Sequence, residues 1–190
     1  MTTVLVGLTV LFASLVFIAV PCVRRQRRVM GIDDSASVAP IRTLRWSGVL
    51  FAGVLGPLLF AKLLIMVLAL GSEVALPADG AGMFAGIGFA WLVLPMALLV
   101  IGTAALKLPA AAIDRDLDTQ EVIRLADGRE WSLLPLGMGL ALAMLLLVAG
   151  SAGIALGRFE AVLPLLAGML LLLWLSQRIA IRYQDLARAA

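Results

Sequence analysis

The chain has no histidine and a single cysteine among 190 residues, and these two scarcities exclude a good deal of chemistry. Without imidazole it cannot give haem iron or zinc their usual nitrogen ligand, build a Ser-His-Asp or Cys-His nucleophile, or titrate unperturbed near neutrality. One cysteine, Cys22, permits neither an internal disulfide nor an iron–sulfur cage. It ends an apolar run beside arginines, where a small buried hydrophobe is expected rather than a lipid-modified thiol. Charged residues are only 14% of the chain. Inside its apolar segments there are no paired carboxylates, no serine beside a base, and no aspartate array of the kind that lipid-synthesising transferases use. The expected role is therefore non-catalytic, with no cofactor and no metal.

What remains is apolar. Hydrophobic residues make up 63% of the sequence and the mean hydropathy is +1.09, values that describe an integral membrane protein and not a soluble core wrapped in polar surface. Five segments approach or exceed the roughly 20 residues needed to cross about 30 Å of hydrocarbon. They run over about 2–23, 46–70, 81–106, 133–156 and 161–177, and predict an all-α bundle of five transmembrane helices forming one membrane domain over 1–190. Connections are expected at 24–45 and 107–132, with a tail at 178–190. The turn Gly157-Arg158-Phe159-Glu160 is just long enough to close a tight helical hairpin.

Of the 15 Lys and Arg, thirteen fall in the first loop, the third loop and the tail. Only Arg158 lies in a connection on the other side, and Lys62 is inside a helix. By the positive-inside rule the first and third loops and the C-terminus face the cytoplasm and the N-terminus faces out. The first helix lacks a basic start and ends in Arg24-Arg25-Gln26-Arg27-Arg28, so a retained helix is expected, not a cleaved leader. Those four arginines suit anionic lipid headgroups, at about 1 kcal/mol each; nucleic-acid binding would need more basic surface and aromatic platforms. Trp46, Trp131, Trp174 and Tyr183 are expected at the cytoplasmic boundary, and Trp91 at mid-depth, filling space against helices or lipid. The Ala- and Leu-rich composition points to a bacterial inner membrane.

Small residues set where helices can approach closely: Gly82 and Gly86 on the third, Ala52 and Gly56 on the second, Gly150 to Gly153 on the fourth. Pro57 and Pro95 fall at matched depths and could line a cavity or gate, or be plain packing features. The third loop is expected to fold as a short β-hairpin around Ala126-Asp127-Gly128, the alternative being a frayed helix from Asp114 to Leu125. Its opening, Asp114-Arg115-Asp116-Leu117-Asp118, begins like a calcium loop, but Thr119 and Leu125 stand where glycine and glutamate are required, which leaves a solvated acidic stretch. Ile-Asp and Trp-Ser pairs shared by the two loops hint at a duplicated hairpin.

Lys62 stands out most. An ionisable group inside a membrane helix costs about 3 kcal/mol near the bilayer centre and is by default a functional position. Snorkelling to the outer headgroups is opposed by the lean of side chains towards the helix N-terminus. No carboxylate lies inside any helix, so a counter-ion has to be a lipid phosphate, Glu73, or an acid on another polypeptide. The function expected is a non-catalytic subunit of a multi-protein inner-membrane complex, contacting other membrane subunits or its own copies. The alternative is a small oligomeric secondary transporter or channel with Lys62 in its pathway.

Overall fold

Hydrocarbon offers a peptide group no hydrogen-bond partner, so long apolar runs can cross it only as helices that satisfy their own backbone. The computed structural model describes residues 2–32, 40–75, 81–115 and 117–189, without the side chains of 68–87 and 89. Five helices are long and apolar enough to span a membrane: α1 (Thr2–Val29), α2 (Pro40–Ala75), α3 (Ala81–Ala104), α6 (Leu134–Ala155) and α7 (Val162–Ala189). Two short helices, α4 (Lys107–Ala112) and α5 (Thr119–Ala126), lie between α3 and α6. The chain is an all-helical, multi-pass membrane protein.

Several helices run further than hydropathy predicts. α1 continues through its four arginines to Val29, and α2 begins at Pro40, where proline's missing N–H costs a helix nothing. α7 carries on to Ala189, burying Ile179, Tyr183 and Leu186 on the face where a helical period places them. Beyond the apolar spans, the ends of α1 and α7 thus continue as a polar-faced bundle with α4 and α5.

The expected β-hairpin is absent: among the described residues there is no strand, and the segment is α5. Asp118, in an extended conformation, caps the helix by accepting the Thr119 N–H at 2.6 Å. Val122 and Ala126, four residues apart, are buried together. Helical spacing plus a cap outweighs the Asp-Gly turn signal, and Gly128, at φ +70°, serves the turn that leaves the helix.

The core joins α1, α6 and α7 to the near parts of α2 and α3, through Leu15, Leu50, Ile101, Met144, Leu147 and Leu172 among others. Glycine makes the closest crossings. A Cβ on Gly137 would lie 1.9 Å from the Leu98 carbonyl oxygen, and one on Gly102 would lie 2.3 Å from that of Leu133, so α3 and α6 touch backbone to backbone. Gly150 and Gly153 bring α6 against Leu165 and Ala161. Further along, α2 and α3 pack on each other in a small cluster of Ala61, Val93 and Ala97, with no third helix against that cluster among the described residues. That α2–α3 arm leaves Leu59, Phe60, Met66, Trp91 and Leu92 exposed.

Candidate functional site

Lys62 lies on this arm. Its neighbour Ala61 is buried against α3, whereas Lys62 is exposed, on a face shared with Leu59 and Met66. No described residue gives it a hydrogen bond or an ion pair. The Glu73 side chain lies outside the described residues. α2 continues thirteen residues past Lys62 to Ala75. Lys62 lines neither of the cavities between α2 and α3.

Pro57 and Pro95 are both half-buried on the arm, within α2 and α3 respectively. Pro57 borders an apolar cavity of about 420 Å³ with Phe60, Val93 and Met96; Pro95 does not. Gly56 has nothing within 4 Å of where a Cβ would be, and Ala52 is exposed. Ala52 and Gly56 border the two cavities between α2 and α3 rather than a close helix crossing among the described residues, while Gly53, one position along, meets Ala104. Gly82 and Gly86 belong to α3, and their surroundings lie outside the described residues.

The four arginines sit on the last turns of α1. Arg24 and Arg28 are exposed; Arg25 is half-buried and donates from Nη2 to Gln177 Oε1 at 2.6 Å. Part of the cluster thus ties α1 to α7 rather than facing headgroups. Of the aromatic residues expected at a boundary, Trp131 and Trp174 are exposed, the latter beneath Arg178 at 5.3 Å. Trp46 and Tyr183 are buried. Burial of Trp46 but not Trp131 places the two Trp-Ser pairs in different environments, and Asp33 and Asp34 of the proposed repeat lie outside the described residues. Cys22 is fully buried.

Sequence reasoning missed a polar knot built around Gln26, which is 0% exposed. Trp46 Nε1 donates to Gln26 Oε1 at 2.9 Å, and Gln26 Nε2 donates to the Ser176 carbonyl at 3.3 Å, joining α1, α2 and α7. Gln184 Nε2 adds a bond to the Val29 carbonyl at 2.9 Å. The signal was available. Leu15, Ala19 and Cys22 form a buried stripe, and its next step falls on Gln26, the uncharged member of the arginine run.

Asp114 is committed elsewhere: Arg42 Nε lies 2.5 Å from its Oδ2, joining the start of α2 to the segment after α4. Among the described residues no three metal-binding side chains cluster.

A cavity of about 670 Å³ forms a lateral groove between α2, α3 and α5. Its wall is mostly apolar, with Thr103, Lys107, Thr119 and Glu130 among its lining residues, the last two at opposite ends of α5. Lys107 Nζ donates to Thr119 Oγ1 at 3.0 Å. Glu130 Oε1 accepts the Gly128 N–H at 3.2 Å. Comparison with protein-family models, with curated proteins and with solved structures finds no match.

Proposed function

We propose that the chain is a non-catalytic subunit of a multi-protein assembly in a bacterial inner membrane, docking through the outer face of its α2–α3 arm. One observation carries this: Lys62 is exposed on that face, and no described residue pairs with it. An ammonium in hydrocarbon needs a counter-charge, and an acid on a partner helix supplies one at the depth where water cannot. The exposed Trp91 fits the same purpose, since tryptophan anchors interfaces.

In this reading the arginine-rich end faces the cytoplasm. It holds thirteen of the fifteen Lys and Arg, leaving Lys62 within the arm and Arg158 at the far turn. The N-terminus is then outside and the C-terminus inside, which reporter fusions at Ala190 and ahead of Met1 test.

The assembly itself is tested by mild detergent extraction of the tagged full chain. A stoichiometric partner is expected to co-purify. Lys62→Leu should lose it while inserting at least as well as wild type, and a compensating carboxylate-to-Leu change in the partner should restore it. A solitary homo-oligomer that moves a solute into liposomes, and does so only with Lys62 intact, would replace this proposal with the transporter.

A further inference from the structure

The groove between α2, α3 and α5 is independent of Lys62. At about 670 Å³ it lies within the roughly 300–1,000 Å³ typical of small-ligand sites. It also shares Met96 and Val100 with the 420 Å³ cavity beside Pro57, so the two form one apolar track along the arm. From Val49 to Phe60 the α2 wall alone is about 16 Å long, at 1.5 Å per residue. A long, narrow, apolar track leading from a groove with polar groups on its wall has the shape of an acyl chain with its headgroup.

The polar groups narrow the choice further. Lys107 and Glu130 are both half-buried and line the same groove, yet no ion pair joins them among the described residues. Lys107 spends one N–H on Thr119 and keeps two. Glu130 takes one backbone N–H and keeps acceptor capacity. A cation beside a hydroxyl suits a phosphate, and a carboxylate elsewhere on the wall of the same groove suits a primary ammonium. An anionic headgroup would meet the Glu130 charge without an ammonium to offset it, and a quaternary ammonium has no N–H to donate to it.

We propose that this groove holds one membrane phospholipid of the zwitterionic primary-amine class, a phosphatidylethanolamine, with its phosphate on Lys107 and Thr119, its ammonium on Glu130 and an acyl chain along the α2–α3 track. α5 closes the headgroup end, with Val122 and Ala126 against the groove.

Native mass spectrometry tests this on the purified full chain, offered phosphatidylethanolamine, phosphatidylcholine and phosphatidylglycerol with identical acyl chains. The wild type should retain phosphatidylethanolamine about tenfold better than phosphatidylcholine, the size of one hydrogen bond to a charged group. Glu130→Gln should bring the two to parity, because the amide keeps the shape and loses the charge. Lys107→Gln should lower retention of both, since both carry the phosphate. Ala52→Phe should block the track and release lipid of any headgroup; Val100→Phe, at a position already exposed on α3, repeats the block should the first variant fold poorly. Preference for phosphatidylglycerol in the wild type, parity of all three lipids, lipid retained unchanged by both blocking variants, or a polypeptide instead of lipid released by them would each overturn the assignment.

Discussion

α6 and α7 meet through Gly150, Gly153 and Gly168, each so close to its neighbour that a Cβ would lie within 3 Å of it, whereas α2 carries Gly56 with nothing within 4 Å. The two hairpins share a composition and differ in what their small residues touch. In α6–α7 the glycines are already filled by this chain. On the α2–α3 arm Gly56 and Lys62 have no counterpart among the described residues, and Phe60 and Trp91 are exposed. In a bilayer, where lipid is as apolar as leucine, close packing is a principal source of helix association. The first hairpin therefore holds itself together, and the second is shaped for something brought to it.

The sharpest way to break this contrast is to put the same side chain on both. Gly150→Leu drives a Cβ to within 2.7 Å of the Leu165 backbone nitrogen, an atom that cannot move aside, and should cost about 3 kcal/mol or prevent folding. Gly56→Leu meets open space and should leave thermal unfolding in detergent within about 0.5 kcal/mol of wild type. Equal losses in the two variants would mean that the arm is packed within the chain after all.

A smaller effect is expected from the polar knot, which fastens the root of α2 to the α1–α7 core. Gln26→Leu strands the buried Trp46 Nε1–H and should cost about 1–3 kcal/mol. Gln26→Leu with Trp46→Phe removes donor and acceptor together and should recover part of that loss. A double variant no better than the single one would show that packing, not the bond, holds this joint.

The contrast also separates what the sequence made legible from what it did not. Hydropathy located five spans because a run of uncharged residues is a local property, visible without knowing its neighbours. The glycine pairs were visible as motifs, but Gly150–Gly153 and Ala52/Gly56 read alike, and only tertiary contact divides a filled face from an open one. The end of α1 and the start of α2 differ from the hydropathy reading for a related reason: Gln26 lies on a part of α1 that outruns the apolar run and buries against α2 and α7, a stabilisation that hydropathy cannot register. The continuation of α7 past 177, by contrast, with Ile179, Tyr183 and Leu186 on one face, is legible from helical spacing. α5 stands only as the alternative to a β-hairpin in the sequence because Asp127-Gly128 is a strong local turn signal, and the Asp118 cap with Val122 and Ala126 counts only once there is a surface to pack on. Lys62 was legible as an anomaly. The groove was not, since Lys107 and Glu130 are 23 positions apart and each alone reads as a solvated charge.

α5 itself tests how far the region outside the spans depends on local signals. Asp118→Ala removes the carboxylate that accepts the Thr119 N–H and should cost about 1 kcal/mol, fraying the helix that closes the groove. Hydrogen exchange at Thr119 to Val122 should quicken while exchange in α6 and α7 stays unchanged. Loss of protection in α6 as well would show that α5 supports the membrane core rather than resting on it.

The smallest effect belongs to Arg42 and Asp114, the ion pair between the root of the arm and the segment after α4. Both side chains are partly exposed, at 25% and 46%, and exposed pairs contribute about 0.2–1 kcal/mol. Asp114 also occupies the left-handed region, at φ +59°, which most side chains adopt at a cost and asparagine tolerates well. Asp114→Asn therefore removes the charge while leaving the backbone at ease, and should cost at most about 1 kcal/mol. That loss should vanish at 1 M salt, where the screening length falls to about 3 Å. Asp114→Ala adds backbone strain of about 1–2 kcal/mol that salt does not touch. The difference between the two variants in high salt measures the turn alone, and the difference between low and high salt in Asp114→Asn measures the pair. An asparagine variant as damaging as the alanine one at every salt concentration would mean that the geometry of Asp114 Oδ2, rather than its charge or its φ, joins the arm to the segment after α4.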